Sequence, residues 1–321
     1  MRTFSMIAAI LVAVPAHAAE ISLQQADDHL LIDTDALSVR INIKGYVSGT
    51  AAGGLLDKKT GARDLGFGLH IMDFLLAPGA RDDGYMNEKT HGHIAKHYVE
   101  GPQICTQAKE LKPEITRGKD FVAVRFHYTF SKPGKGYKAG STWEQTLVFQ
   151  PGLRYYISAE RITSANDVDA LFYRIDMPGH IKHKNGDSFE KIWLSYEGDI
   201  PASDFTKDFP PDGRHLYQCK EGKTPERMIR AYQVKHDGKP GPWLAGMTLD
   251  PAAVSEAWCH QRGYVCFIEE LHARPTKAGE SFGAAYVVGW FDDKPEMERV
   301  YDNYRGTTRI ELHDNSFELK K

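Results

Sequence analysis

Hydrophobic and polar residues alternate with a period of two along much of this chain. In Leu37–Ile43 the apolar Leu37, Val39, Ile41 and Ile43 fall on one side, and Ser38, Arg40 and Asn42 on the other. That is the pattern of a strand buried on one face. It returns in Val122–Phe130, where Val122, Val124, Phe126, Tyr128 and Phe130 oppose Arg125 and His127. Further strand-like runs are TWEQTLVF, RYYISAERI, ALFYRI, KIWLSY, RAYQV, VSEAWC, YVCFIE and SFGAAYVVGWF, separated by clusters of Gly, Pro, Asn and Asp at antiparallel-sandwich spacing. About fifteen strands are expected on this pattern. Helical spacing governs one segment, KPEMERVYDNY, in which Met297, Val300, Tyr301 and Tyr304 recur at i, i+3, i+4 and i+7, with Pro295 in the first turn and Gly306 past the end. The expected architecture is an all-β, large antiparallel β-sandwich with one short C-terminal helix. No repeat or low-complexity linker divides residues 19–321, so one domain is expected, with the polar stretch Asp199–Thr224 as a long surface loop.

The first residues follow a different pattern. Arg2 precedes the apolar run Met6–Val14, and Ala16-His17-Ala18 closes it with small residues at the positions a signal peptidase reads. A signal peptide over residues 1–18 is expected, and hence a secreted or periplasmic protein. The run is well short of the roughly 20 apolar residues a membrane-spanning helix needs. Net charge is -3, from 40 basic and 43 acidic residues without long blocks, which argues against nucleic acid or a membrane surface as partner. Four cysteines suit an exported chain with disulfides. Cys259 and Cys266 flank HQRGYV, where Arg262-Gly263 reads as a turn; a bridge between them is the expected pairing, with two free, buried thiols as the alternative.

Groups able to move protons concentrate in THGHIAKHYVE, after the loop PGARDDGYMNEK. His91, His93 and His97 share odd parity and would face one way along an extended strand, a set that could ligate a divalent metal. Lys96, Tyr98 and Glu100 would face the other. A second group lies in WCHQRGYVCFIEELHARP, whose His260, Glu269, Glu270, His272 and Arg274 alternate with apolar residues. Trp193, Tyr196, Trp258 and Tyr264 could stack on pyranose rings. No GxSxG elbow, Walker loop or EF-hand loop is present.

TWEQTLVFQPGLRYYI leading to RITSAND and then ALFYRIDMPGH, in a nearly all-β chain of this length, resembles the galactose-mutarotase-like supersandwich of aldose epimerases and of several polysaccharide lyases and glycoside hydrolases. In mutarotases a strand ending near an Asn precedes one that delivers a catalytic histidine, and a catalytic glutamate arrives late. The resemblance therefore implies Asn166, His180, and Glu269 or Glu270 at comparable places, and an oligo- or polysaccharide substrate. After His180 the chain continues IKHKNG, where that family has an aromatic-rich run.

The leading expectation is a polysaccharide lyase that cleaves a uronic-acid glycan by β-elimination. That reaction needs a base, an acid and a cation for the carboxylate. His93 or His97 would be the base, Tyr98 or Tyr85 the acid, and Lys96, Arg81 or Arg125 the clamp, with His91, Trp193, Trp258, His272 and Arg274 contacting substrate. The alternatives are an epimerase using His180 with Glu269 or Glu270, a glycosidase drawing two carboxylates from Glu144, Glu160, Asp176, Glu269 and Glu270, and a noncatalytic glycan-binding sandwich.

Overall fold

The computed structural model describes residues 21–47, 49–66, 68–69, 71–79, 95–101, 103–211, 214–220 and 223–321. The expected signal peptide and Arg81, Tyr85, His91 and His93 lie outside them, as does the metal set that His91 and His93 would form with His97. Strands β1 (Ser22–Gln25), β2 (His29–Asp33), β3 (Leu37–Asn42), β4 (Thr50–Asp57) and β5 (Gly68–Leu69) come first. They are followed by β6 (Ile71–Pro78), β7 (Lys96–Gly101), the single turn α1 (Ile104–Gln107), β8 (Glu114–Arg117), β9 (Val122–Thr129), β10 (Lys132–Pro133), β11 (Thr142–Phe149), β12 (Tyr155–Thr163) and β13 (Val168–Ile181). The chain continues through β14 (Phe189–Leu194), β15 (Gly198–Pro201), β16 (Leu216–Gln218), β17 (Met228–His236), β18 (Lys239–Thr248), β19 (Val254–Gln261), β20 (Val265–Thr276) and β21 (Ser281–Phe291). Helix α2 (Lys294–Tyr304) and the hairpin β22 (Arg309–Leu312) and β23 (Phe317–Lys320) end it.

These strands form an all-β antiparallel sandwich. A seven-stranded sheet, ordered β10-β7-β6-β13-β20-β19-β16, and a nine-stranded sheet, ordered β15-β14-β17-β18-β21-β12-β11-β9-β8, enclose the main core, and the five-stranded sheet β1–β5 extends it. Strands outnumber the fifteen expected because several are only two to four residues long, too short for alternation to be legible. The stretch expected as one loop from Asp199 to Thr224 carries β15, a 3-10 turn over Ala202–Phe205 and β16.

Helix α2 forms where the periodicity places it. Asp293 caps it, accepting from Glu296 N at 2.8 Å, and Glu296 Oε2 accepts from Asp292 N in return, the reciprocal logic of a capping box. Its buried Met297, Val300 and Tyr301 cover the outer face of the nine-stranded sheet together with β22 and β23. The outer face of the seven-stranded sheet is different. Among the described residues its buried apolar content is two small clusters, Phe74, Leu76 and Phe172, and Trp258, Cys266 and Ile268. The space between them is filled by buried charge.

The expected Cys259–Cys266 bridge does not form, and all four cysteines are free thiols. Cys259 packs in the main core and Cys266 on the outer face. Their strands are adjacent, but side chains of opposite parity leave a sheet on opposite sides, so the two sulfurs are directed apart.

Candidate active site

Three rows of residues cross β13, β20 and β19 on this outer face. Arg174 pairs with Glu270 and Glu270 with Glu256; Asp176 pairs with Ile268 and Ile268 with Trp258; His180 pairs with Cys266 and Cys266 with His260. Neighbours within a row are about 5 Å apart and rows about 7 Å apart, so the array is the size of a small ligand. A register shift between Asp176 and His180 contains Gly179, whose φ of 123° suits glycine alone. Gly66 lies so close behind His180 that a Cβ there would stand 2.3 Å from its carbonyl oxygen. Backbone thus fixes the histidine's place.

A second irregularity brings in Asp73. Tyr173 pairs with Leu75 but Ile175 with Met72, so β6 carries one extra residue against β13. Such a bulge re-aims side chains. Leu75 and Ala77 point into the main core and Phe74 and Leu76 outward. Strict alternation would send Asp73 inward; the bulge instead sets it beside Phe74 on the outer face, where Gln103 Nε2 donates to its Oδ1 at 2.9 Å. Burial pushes the Asp73 carboxyl well above the usual carboxylate range, the Asp176 charge adds to this, and Arg174 opposes it.

At the first row the ions are tightly matched. Lys96 Nζ lies 2.7 Å from Glu270 Oε2 and 3.0 Å from Glu256 Oε2. Arg174 donates to Glu270 Oε1 from Nη2 at 2.5 Å and from Nε at 3.1 Å, and Gln218 Nε2 donates to Glu256 Oε1 at 3.0 Å. Lys96 Nζ and the Arg174 guanidinium also sit 4.9 and 5.4 Å from the centre of the Trp258 ring, favourable cation–π placements. At the third row His180 Nε2 is 3.4 Å from Asp176 Oδ2, and the His180 ring meets Tyr264 edge-on at 5.2 Å. Burial lowers the His260 pKa to about 4, so it is neutral at physiological pH; Asp176 works in the opposite direction. Three buried polar atoms here have no hydrogen-bond partner among the described residues: Asp176 Oδ1, Trp258 Nε1 and His260 Nδ1.

The sequence expectations divide on this geometry. Lys96, Tyr98, His180, Glu270 and Trp258 belong to the face, with Tyr98 at its margin, its ring 5.1 Å from that of Phe74. Lys96 is bound by two glutamates, so the role of carboxylate clamp expected of it is already filled from within. Trp258 is no stacking platform, since cations lie over its ring; what it offers is its indole N–H. His97 projects to the opposite side of β7, donates from Nδ1 to Gly79 O at 2.6 Å and has Nε2 3.1 Å from the Tyr137 hydroxyl. It is therefore removed from the face. Glu269 points between the sheets to Arg230 and Thr248.

Trp193 and Arg125 stand on the nine-stranded sheet, Trp193 under Lys294 and Arg125 with Nε 4.0 Å from Glu144 Oε1. His272 has a left-handed φ of 86°, stacks on Phe282 and reaches Thr276 Oγ1 at 3.0 Å. Arg274 is exposed and donates to Ala252 O at 3.1 Å. Asn166 closes a turn, bonding both backbone groups of Lys138. Sequence reading passed over Asp73, Arg174 and Glu256 and gave no site role to His260. One signal was available: a single charge inside an otherwise apolar strand, as in IMDFLLA or ALFYRI, has to be paired once buried.

No protein-family model matches the chain, and no curated protein does. Among solved structures its path is similar to galactose 1-epimerase from Lactobacillus acidophilus NCFM, with 9% identity, a TM-score of 0.42, and 86% of this chain and 100% of that one covered. It is also similar to a galactose mutarotase related enzyme from Lactobacillus acidophilus, with 8% identity, a TM-score of 0.38, and 86% and 99% covered. These neighbours are of the mutarotase group that the sequence resembles, at low sequence identity.

Proposed function

We propose that the protein is an exported carbohydrate-active enzyme that interconverts the anomers of a neutral aldose by acid–base catalysis on the outer face of the seven-stranded sheet. The observation that carries this reading is the group of three buried, unpartnered polar atoms at Asp176 Oδ1, Trp258 Nε1 and His260 Nδ1. Buried polar atoms are normally satisfied, and a constellation left open on one face suits a ligand's hydroxyls. An indole donor, a carboxylate acceptor and a neutral imidazole match the alternating donors and acceptors of a pyranose.

Anomer exchange is a pair of proton transfers. A base takes the proton from the anomeric hydroxyl, the bond from C1 to the ring oxygen breaks, and an acid protonates that oxygen. The open-chain aldehyde turns about C1–C2, and the same two groups close the ring in reversed roles. Asp176 Oδ1 serves as the acceptor, with His180 holding the carboxylate's other oxygen. Burial of the array excludes water and strengthens each electrostatic contact.

A uronate polymer fits less well. Lys96 and Arg174, the buried cations on this face among the described residues, are matched by Glu256 and Glu270, so a further carboxylate would meet an acidic surface. The test is anomer exchange of a panel of neutral aldoses followed by saturation-transfer NMR, run beside uronate polymers monitored for unsaturated product. Accelerated exchange is expected. Unsaturated product without exchange would replace this reading with the lyase.

A further inference from the structure

The outer face holds more buried negative charge than its cations can match. Among the described residues, Lys96 and Arg174 stand against Glu256, Glu270, Asp73 and Asp176, and each of these six is no more than 5% exposed. Glu256 and Glu270 take up both cations. His180 Nε2 lies 3.4 Å from Asp176 Oδ2. Among the described residues no ion-pair partner stands against Asp73, and an unmatched buried carboxylate neutralises itself by binding a proton.

We infer that Asp73, on the outer face with Asp176, holds a proton at neutral pH and is the donor to the sugar ring oxygen. The β6 bulge supports this, because it sets Asp73 on the outer face, where it feels the Asp176 charge. The carboxyl's other neighbours agree. Gln103 donates to its Oδ1, while the Cys105 thiol and the Tyr264 phenol are each held neutral, both pushed up to about 12 by burial. Burial also raises Tyr46 and Cys266, which feel the same two carboxylates. Arg174 is the cation facing Asp73, and its guanidinium is committed to Glu270. In the reaction the Asp73 proton passes to the ring oxygen as Asp176 gains the anomeric one. The pair still holds one proton, and ring closure returns it.

The catalytic role rests on the anomer-exchange reading; the proton on Asp73 does not. The experiment is difference infrared spectroscopy of the full chain, which resolves the carbonyl stretch of a protonated carboxyl, with anomer exchange measured on the same samples. The wild type should show that band at neutral pH and Asp73→Asn should lack it, with exchange at least about 100-fold slower and the alkaline limb of its pH profile gone. Should Asp73→Asn not fold, Asp176→Asn decides: its band should disappear at a lower pH than in the wild type. Absence of the band at neutral pH, its survival in Asp73→Asn, or no displacement in Asp176→Asn would overturn the inference. A band behaving as expected in a protein that accelerates no aldose's exchange would leave the proton on Asp73 standing and remove the proposed function instead.

Discussion

Glu269 and Glu270, consecutive in the chain, serve opposite sides of one sheet. Glu270 Oε2 holds Lys96 at 2.7 Å on the outer face, while Glu269 Oε2 holds Arg230 at 3.0 Å between the sheets and both its oxygens accept from Thr248 Oγ1. Removing either charge strands a buried cation, which costs about 3–5 kcal/mol. Glu269→Gln and Glu270→Gln should therefore both lower stability in urea titrations by that order. Turnover separates them: it should fall in Glu270→Gln, which frees Arg174 and Lys96 beside the site, and stay within about twofold of wild type in Glu269→Gln, since protein-wide packing is shared but the site face is not.

Lys96 is a structural counter-ion here. Lys96→Met should destabilise the fold by about 3–5 kcal/mol through the two glutamates it abandons. Adding Glu256→Gln should recover part of the loss, and a double-mutant cycle measures the coupling. Additive effects would count against the network.

His97 distinguishes the outer face from the cluster that stands out in the sequence. With one ring nitrogen bonded to Gly79 O and the other beside Tyr137 Oη, His97→Gln should cost about 1–3 kcal/mol of stability. Its turnover should stay close to wild type in exchange assays. A loss near 100-fold would return His97 to the chemistry.

The pH dependence of folding should report His260. Its folded pKa is about 4 against an ordinary 6.5, so the unfolded chain binds the extra proton between those values. Stability then rises with pH across that window, is fully present above about 6.5 and is lost as pH falls toward 4, by on the order of 3 kcal/mol. Subtracting denaturation curves of His260→Gln from wild type isolates the contribution. His272, lowered to about 4 by burial and by Arg274, titrates in the same direction and remains in both proteins, so the difference is His260's own.

Thiol titration of the unreduced, denatured protein should find four free cysteines per chain, with Cys259→Ser and Cys266→Ser each lowering the number by one. Two or fewer would mean a bridge exists.

Much of this molecule is written locally. Alternation identified strands such as Leu37–Asn42 and Val122–Thr129, and spacing at i, i+3 and i+4 placed α2 because its cap, its Pro295 and its buried Met297, Val300 and Tyr301 lie within one short segment. Alternation sends consecutive residues such as Glu269 and Glu270 to opposite faces, but it does not say which of the two faces chemistry. That depended on contacts between distant segments. Lys96 meets Glu256 at a sequence separation of 160, and Asp73 reaches the outer face only because β6 holds one residue more than β13 requires. Periodicity records which residues share a side of a strand. Register between strands, and the bulges that shift it, decide which side is the site and which charges must answer one another there.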